Sequence, residues 1–549
     1  MEKRLILAAA LSLGVLLLWE WLVVPRTPQR PRLAPTPLAP LASSAPLAST
    51  SVPVTPGVAA PPAPARPLPP AVSARAEETT TLGNSVLRVR LSNRGAVLQS
   101  LVLLKHTDDD GKPLELVRQV APPAPRPLQL EFPSDPAATT LAATALYNIE
   151  IVSPRAVRMR YADDRIAITK EFRVGDGYLC DLAVSVVGPP FLLSIGTGLR
   201  NPTEQELASR YVMPAVAIVR TPGGFERPQA AKLEKPKTWP LAERGFAGVE
   251  DNYFLAALIP QGSSTAEVAP VPGKDASGKP IATPAVSVAG SGQLSARAYF
   301  GPKDVEVLES LNLGLEKTVD FGWYGILARP LLWLLKRANT WFGNFGVAIL
   351  VVTLLIRALL FPLTYRSYAS MKKMQKLAPK MNAIRDKYKK ARSEPAQRQK
   401  MNEELMKLYQ AEGYNPMSGC LPILLQLPIL VAFYNVLRFA VELRHAPFAL
   451  WIRDLSAVDH TYVLLILMIV SMYVQQAMTP TTADPTQKKI FMAMPLVWGI
   501  FFKDMPSGLV LYWLFSNVLT IVQQTIINRM GDKDEPTAQK PARVRSARA

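Results

Sequence analysis

Few residues in this 549-residue chain have the type and spacing to do chemistry. The two cysteines, Cys180 and Cys420, and the three histidines, His106, His445 and His460, are scattered. They form no metal-ligand cluster, and no cofactor is expected. "GKDASGKP" (273–280) begins like a phosphate loop but reaches Pro280 where Ser or Thr would meet Mg²⁺. It follows no clear strand and opens no apolar helix, so an exposed turn is expected. Asp163, Asp164 and Glu171 could serve a carbohydrate enzyme, but spacing alone does not pair them. The informative residue is Arg357, inside "ILVVTLLIRALLFPLTY" (349–365). An arginine at a bilayer centre costs about 2.5–3.5 kcal/mol on insertion scales. Thr353 lies one turn earlier, on the same helical face. Gln426, Gln475, Gln476 and Asn517 interrupt later apolar runs, with Trp513 one turn before Asn517. No acidic residue lies deep in these runs. On spacing, two readings stand. Arg357 is seven residues before Thr364, about 10 Å of helix, and so can snorkel toward an interface. Alternatively it lines a watery groove. The missing acidic partner favours water, because an unpaired buried charge is very costly.

The elements that must position these residues come in two kinds. "MEKRLILAAALSLGVLLLWEWLVVP" opens the chain with an apolar stretch that runs past Trp19 and Trp21 without a small-residue cleavage site. An uncleaved first span at 1–24 is expected rather than a signal peptide. Residues 25–76 are dense in Pro, Ala and Ser, with no apolar period, and read as an extended tether. Residues 77–315 alternate apolar and polar residues between Gly/Pro turns, as in "SVLRVRLSNRGAVLQSLVLL" and "RIAITKEFRVGDGYLCDLAVSVV". This predicts an all-β sandwich. At 320–340, Trp323, Leu327, Leu331, Leu334 and Leu335 fall at helical spacing, ending on Lys336 and Arg337. That predicts an amphipathic helix lying in the membrane interface, with a buried soluble helix as the alternative. Five further spans are expected, near 344–363, 421–441, 461–478, 489–503 and 508–528. The fold class is therefore an α-helical polytopic membrane protein of about six spans with a β-sandwich outside.

Charge sets the orientation. The chain carries a net +19. Residues 364–420 hold thirteen basic and five acidic residues, which places that loop in the cytoplasm. The tail at 529–549 is also basic, so both termini are expected inside and the β-domain outside, in the periplasm. The loop reads as a helical hairpin at 366–412. One helix carries Met371, Met374, Leu377, Met381, Ile384 and Tyr388, and the other Met401, Leu405 and Leu408. Either the stripes pack on each other, or they receive a partner. In the second case Met371, Met374, Lys376, Met401 and Leu405 are the expected contacts, since methionines adapt to varied apolar surfaces.

Several blocks carry a resemblance. "GPKDVEVLESL", "VDFGWYGILARPLLWLL", "GNFGVAILVVTLLIRALLFPLTYRSYASMKKMQKLAPKM", "YNPMSGCLPILLQLPI", "VELRHAPFALWIRDLS" and "MPSGLVLYW" together resemble the YidC membrane-protein insertase family, densely over 297–528. "GVEDNYFLAALIP" and "ITKEFRV" resemble its Gram-negative branch, with a periplasmic sandwich related to carbohydrate-binding folds. The resemblance implies insertion and folding of inner-membrane proteins, alone or with the Sec translocon, without covalent catalysis. It implies an insertase core at 344–528 and a hydrophilic groove lined by Arg357, Thr353, Gln476 and Trp513. It implies nascent membrane proteins and lipid as partners, and a ribosome contacted through the basic tail and cytoplasmic loops. Apart from that contact, no nucleic acid is implied. "FFKDMPSG" departs from the family by placing Lys503 and Asp504 where apolar residues are usual. Either the bilayer thins there or the two charges pair at the outer tip. A transporter or channel for small anions is the alternative function, with Arg357 as counter-charge.

Overall fold

A computed structural model of the chain describes residues 68–119, 124–201, 206, 213–274, 280–388, 394–412, 421–479 and 485–533. The expected first span, the tether up to residue 67, Cys420, the centre of the phosphate-loop-like turn and the tail beyond residue 533 lie outside the described residues.

The alternating stretches become strands. β1 (Thr79–Gly83), β2 (Leu87–Ser92), β3 (Val97–Thr107) and β4 (Pro113–Glu115) form an antiparallel sheet in that order. Leu87, Val89 and Leu91 of β2 turn inward and Arg88 and Arg90 outward, as the period of two requires. Next come β5 (Leu130–Glu131) and a helix, α1 (Pro136–Thr144). This helix corrects the all-β expectation. Asp135 caps it by accepting from Ala138 N at 2.9 Å, and Pro136 pre-sets its first turn.

The strands that follow are β6 (Asn148–Ser153), β7 (Ala156–Ala162), β8 (Ala167–Val174), β9 (Leu179–Val187) and β10 (Phe191–Thr197). Then come β11 (Val216–Thr221), β12 (Gly224–Glu226), β13 (Lys237–Pro240), β14 (Ala247–Glu250) and β15 (Phe254–Pro260). The last are β16 (Thr265–Lys274), β17 (Pro280–Gly290) and β18 (Gln293–Pro302). A nine-stranded sheet runs β12-β11-β14-β15-β18-β9-β8-β7-β6, and a five-stranded one runs β13-β16-β17-β10-β5. β10 and β17 pack across β14, and β15 is buried along its whole length. Burial on both faces explains why "FLAALIP" is continuously apolar rather than alternating. β16 and β17 flank "GKDASGKP", so those residues join two strands and precede no helix.

One inward position of β8 holds a lysine. Lys170 is 1% exposed, and its Nζ donates to the carbonyls of Gly95 (2.9 Å), Ala96 (3.1 Å) and Leu128 (2.7 Å). Gly95, Ala96 and Leu128 all have positive φ, which turns the three carbonyls toward one point. Burial pulls the Lys170 pKa down to about 7. Only the ammonium form has three N–H groups for three acceptors.

The C-terminal half is helical. α2 (Val305–Ser310) and α3 (Gly325–Phe342) lead to α4 (Phe345–Lys387), α5 (Pro395–Ala411), α6 (Leu421–Phe439), α7 (Val463–Met478), α8 (Pro485–Phe502) and α9 (Ser507–Lys533). Among the described residues, two helical stretches are long and apolar enough to cross a membrane, Phe345–Ser370 and Ser507–Ile527. Gln426–Phe439, Val463–Met478 and Phe491–Phe502 are shorter apolar helices. α4 shows no break where the second span was expected to end. It runs unbroken over 43 residues in all, into the first arm of the hairpin.

In the hairpin, Leu377 and Met381 are buried, and the Tyr409 hydroxyl approaches Met381 Sδ at 3.9 Å. Lys380–Glu412 (2.8 Å) and Lys387–Glu404 (2.5 Å) bridge the arms. Part of the Met-rich stripe is thus used by the hairpin itself. Met374, Met401 and Leu405 are half-buried and Lys376 is exposed; the Met371 side chain lies outside the described residues.

α3 turns Ala328, Leu331, Leu332, Leu335 and Ala338 toward α4 and α6. Its other side exposes Ile326, Trp333 and Trp341, and Trp323 is exposed just before its first turn. The expected stripe is therefore divided, with Leu331 and Leu335 inward and Trp323 and Leu327 outward.

A polar joint connects the β-domain to the α6–α7 loop. Arg444 donates to Thr107 O at 2.6 Å and lies 3.7 Å from Asp109, in the β3–β4 turn. Its guanidinium and the His106 ring both meet Phe254. His445 stands between Asp109 (3.4 Å) and Asp454 (3.3 Å). From α3, Lys336 reaches Glu306 and Glu442, each at 3.0 Å. Burial, then Arg444, lowers the His106 pKa to about 4 against the pull of Asp304. The same two causes lower His445, opposed by Asp454, Asp109 and Glu206.

Two predictions follow from these contacts. Lys170→Met leaves three buried carbonyls without a donor and destabilises the β-domain by about 3 kcal/mol. The check is its thermal midpoint in detergent; an unchanged midpoint would show that the carbonyls find other donors. Both joint histidines bind protons less readily in the folded chain than when exposed. The stability they contribute is therefore fully present above pH 6.5 and is lost as pH falls toward about 4. Hydrogen exchange in 440–460, corrected for intrinsic rate, should be faster at pH 5 than at pH 7, and less so in His106→Phe.

Candidate functional site

The N-terminal ends of α4 and α9 are fixed by the α6–α7 loop. Asn344 caps α4, accepting from Val347 N at 3.0 Å while donating to Phe448 O at 2.8 Å. Gly346 lets the Phe448 ring lie on the first turn, since a Cβ there would sit 2.1 Å from Phe448 Cδ2. At α9, Ser507 Oγ donates to Asp454 O at 2.6 Å and Gly508 N to Leu455 O at 2.9 Å. A Cβ on Gly508 would meet Leu437 at 2.8 Å. From these anchors, Arg357 lies about 20 Å down α4 and Ser516 about 14 Å down α9, by helical rise.

There the two helices meet α6. Arg357 Nη2 donates to Gln426 Oε1 at 2.7 Å, and Nε donates to Ser516 Oγ at 3.1 Å. Nη2 also reaches Ser516 Oγ, and Gln426 Nε2 donates to the same oxygen at 2.8 Å. A ring of hydrogen bonds closes over three helices. Among the described residues no carboxylate pairs with Arg357. Thr353, Ile356, Leu360, Thr364, Ile429 and Tyr512 complete the lining of a small cavity beside the ring. Water centres fit over about 20 Å³ of it, room for about one molecule. Thr353 is buried and turns its hydroxyl back to Ile349 O at 2.6 Å. The Tyr512 ring stacks on Phe433 of α6, centroids 4.1 Å apart.

Of the residues singled out in the sequence, Arg357, Thr353 and Gln426 come together here. Asn517 instead donates to Ser471 Oγ on α7 at 3.0 Å. Trp513 stacks on Trp498 of α8, with centroids 5.9 Å apart. Gln476 is half-buried on α7 and is not part of the cavity lining. The sequence reading missed Ser516 and Tyr512. Their signal was present: they are one helical turn apart, and Ser516 adjoins Asn517, rotated by about 100°. Serine simply stands out less than asparagine in an apolar run. Lys503 and Asp504 lie 3.9 Å apart at the exposed α8–α9 turn, so the two charges pair there.

The sequence model of the 60Kd inner membrane protein family matches residues 337–534, and that of the YidC periplasmic domain matches residues 79–334. The membrane protein insertase YidC of Syntrophus aciditrophicus is 34% identical over 570 residues, covering 96% of this chain and 100% of the relative. That of Geobacter sulfurreducens is 47% identical over 289 residues, covering 52% of this chain and 53% of the relative. The second match thus spans about half the length of that relative. A solved structure of an active YidC insertase with its first transmembrane domain resolved is 20% identical, covers 83% of this chain and 94% of that one, and has a TM-score of 0.37. At that score it adds nothing to the assignment, which rests on the sequence matches. Joined over both halves, those matches show that the chain belongs to the YidC membrane protein insertase family.

Proposed function

We propose that this chain inserts and helps fold proteins of the bacterial inner membrane, alone or beside the Sec translocon. The observation that carries the reading is Arg357, a guanidinium held between α4, α6 and α9 by neutral acceptors only. A chain presenting an apolar span and a short polar tail meets the hairpin at 366–412 on the cytoplasmic side. The ribosome is held nearby by the basic tail and cytoplasmic loops. The polar tail enters between α4, α6 and α9, where Arg357 and its neighbours replace part of its hydration. Gln476, Trp513 and Asn517 would meet it only if the α7–α8 side of the core opened. The apolar span leaves along the exposed side chains of α4 and α9, among them Leu354, Leu355, Leu359, Val518 and Val522. Partitioning into lipid then supplies about 25 cal/mol per Å² of apolar surface. The membrane potential adds roughly 2.3 kcal/mol per negative charge per 100 mV toward the positive outside. No step makes or breaks a covalent bond.

In this topology both termini are cytoplasmic, the β-domain is periplasmic, and six spans cross the membrane. α7 and α8 are short for full spans, which need about twenty apolar residues, so the bilayer thins around them. α3 lies at the outer interface with its tryptophans in the headgroup layer.

The decisive variant is Arg357→Ala, assayed on a small single-span substrate with an acidic tail in reconstituted vesicles. Insertion should fall by about tenfold, the loss of one charge-assisted contact. Arg357→Lys should recover part of it, keeping charge without the fork geometry. Unimpaired insertion by Arg357→Ala would remove the groove role, and anion flux through the same vesicles would favour a transporter.

A further inference from the structure

The ring at Arg357 has a second property. Its acceptors occupy one edge of the guanidinium, the one that carries Nε and Nη2. Gln426 Oε1 takes Nη2, and Ser516 Oγ takes Nε and Nη2. The adjoining cavity admits only about one water. A tail carboxylate therefore cannot form a forked contact with Arg357 on this edge while both acceptors stay in place. Release would leave Ser516 Oγ its bond from Gln426 Nε2, so only Gln426 Oε1 would need a new donor.

We propose that Gln426 and Ser516 are a competing acceptor pair, a neutral stand-in that holds the guanidinium until an acidic tail displaces it. This deepens the insertase reading and rests on it. The displacement is selective for a physical reason. A carboxylate makes charge-assisted, bidentate bonds to a guanidinium, roughly twice as strong as those of an amide or hydroxyl. Exchange thus favours an acidic group and gains little for a neutral one. The pair also spares the empty site an unpaired buried cation. Gln426 and Ser516 are therefore specificity residues that act through Arg357.

Opposite substitutions at one position separate this role from a structural one. The full chain is reconstituted in vesicles, and insertion of a single-span substrate with two aspartates in its tail is measured against substrate concentration. Gln426→Glu installs a permanent carboxylate on Arg357, and the half-saturating concentration should rise by about tenfold. Gln426→Leu removes a competitor, and the half-saturating concentration should fall. Ser516→Ala should shift it in the same direction as Gln426→Leu. Replacing the two tail aspartates by asparagines should shrink the difference between Gln426→Glu and wild type. If Gln426→Glu and Gln426→Leu both raise the half-saturating concentration, or neither moves it, the competing-acceptor role is overturned while the insertase reading stands. If the wild-type chain inserts no substrate, the insertase reading falls and the inference falls with it.

Discussion

A guanidinium among apolar helices must have acceptors, and the helical half is arranged around that requirement. Arg357 carries several N–H donors and has no carboxylate partner among the described residues. Its acceptors come from α6 and α9, so both helices must pass α4 at one depth and in one rotation. A rotation of α9 by a single residue would offer Asn517 or Phe515 instead of Ser516. Asn517 is already engaged with Ser471 of α7. α9 thus has two polar faces about 100° apart, one turned to α4 and α6 and the other to α7. The second continues along the helix, where Gln524 donates to Met478 O at 2.6 Å. Such bonds are worth about 0.6 kcal/mol on average in a membrane, so their value here is less strength than register.

The apolar surface follows from the same arrangement. α4 and α9 are the two long walls and expose leucine, valine and isoleucine on their outer sides. α7 and α8 are shorter, and α8 meets α9 through aromatic rings, Trp498 and Phe502 against Trp513. Their outer turn carries Lys503 and Asp504, about half exposed and paired at 3.9 Å. Exposed pairs add little stability. In the proposed insertase this pair would mark where lipid ends beside α7 and α8, and a thinner apolar layer there would lower the cost of bringing a polar tail to Arg357.

The sequence revealed elements whose signal is local and missed features fixed by tertiary contact. Alternation marked β2, β3, β8 and β9, and helical spacing marked both arms of the hairpin. α1 went unseen because nine residues around a short Ala/Thr run have no apolar face to detect. The continuity of α4 was also hidden. Charge changes sharply after Thr364, but the backbone has no reason to break there, and neither Pro362 nor Pro379 ends the helix. At the site, Arg357 was legible because arginine is expensive in lipid, and Thr353 because it lies one turn away. Gln426 was legible as a polar residue but not as an Arg357 acceptor. Ser516 gave only a faint signal beside Asn517, since a hydroxyl in a helix commonly bonds its own backbone. Its partner is 159 residues away, and no period connects them.

Two constraints therefore act on the core at different depths. At the outer end, the α6–α7 loop holds the first turns of α4 and α9 through Phe448, Asp454 and Leu455. That loop is itself tied to the β-domain through Arg444 and His445. About 14–20 Å further in, the Arg357 ring joins the same helices with no help from the β-domain. The outer anchor uses backbone carbonyls and glycine packing, which have no competitor. The inner one uses two neutral side chains and one charge. If the core opens for a tail as proposed, this order of strengths would keep the ends fixed while the middle, where the polar contacts are exchangeable, parts first.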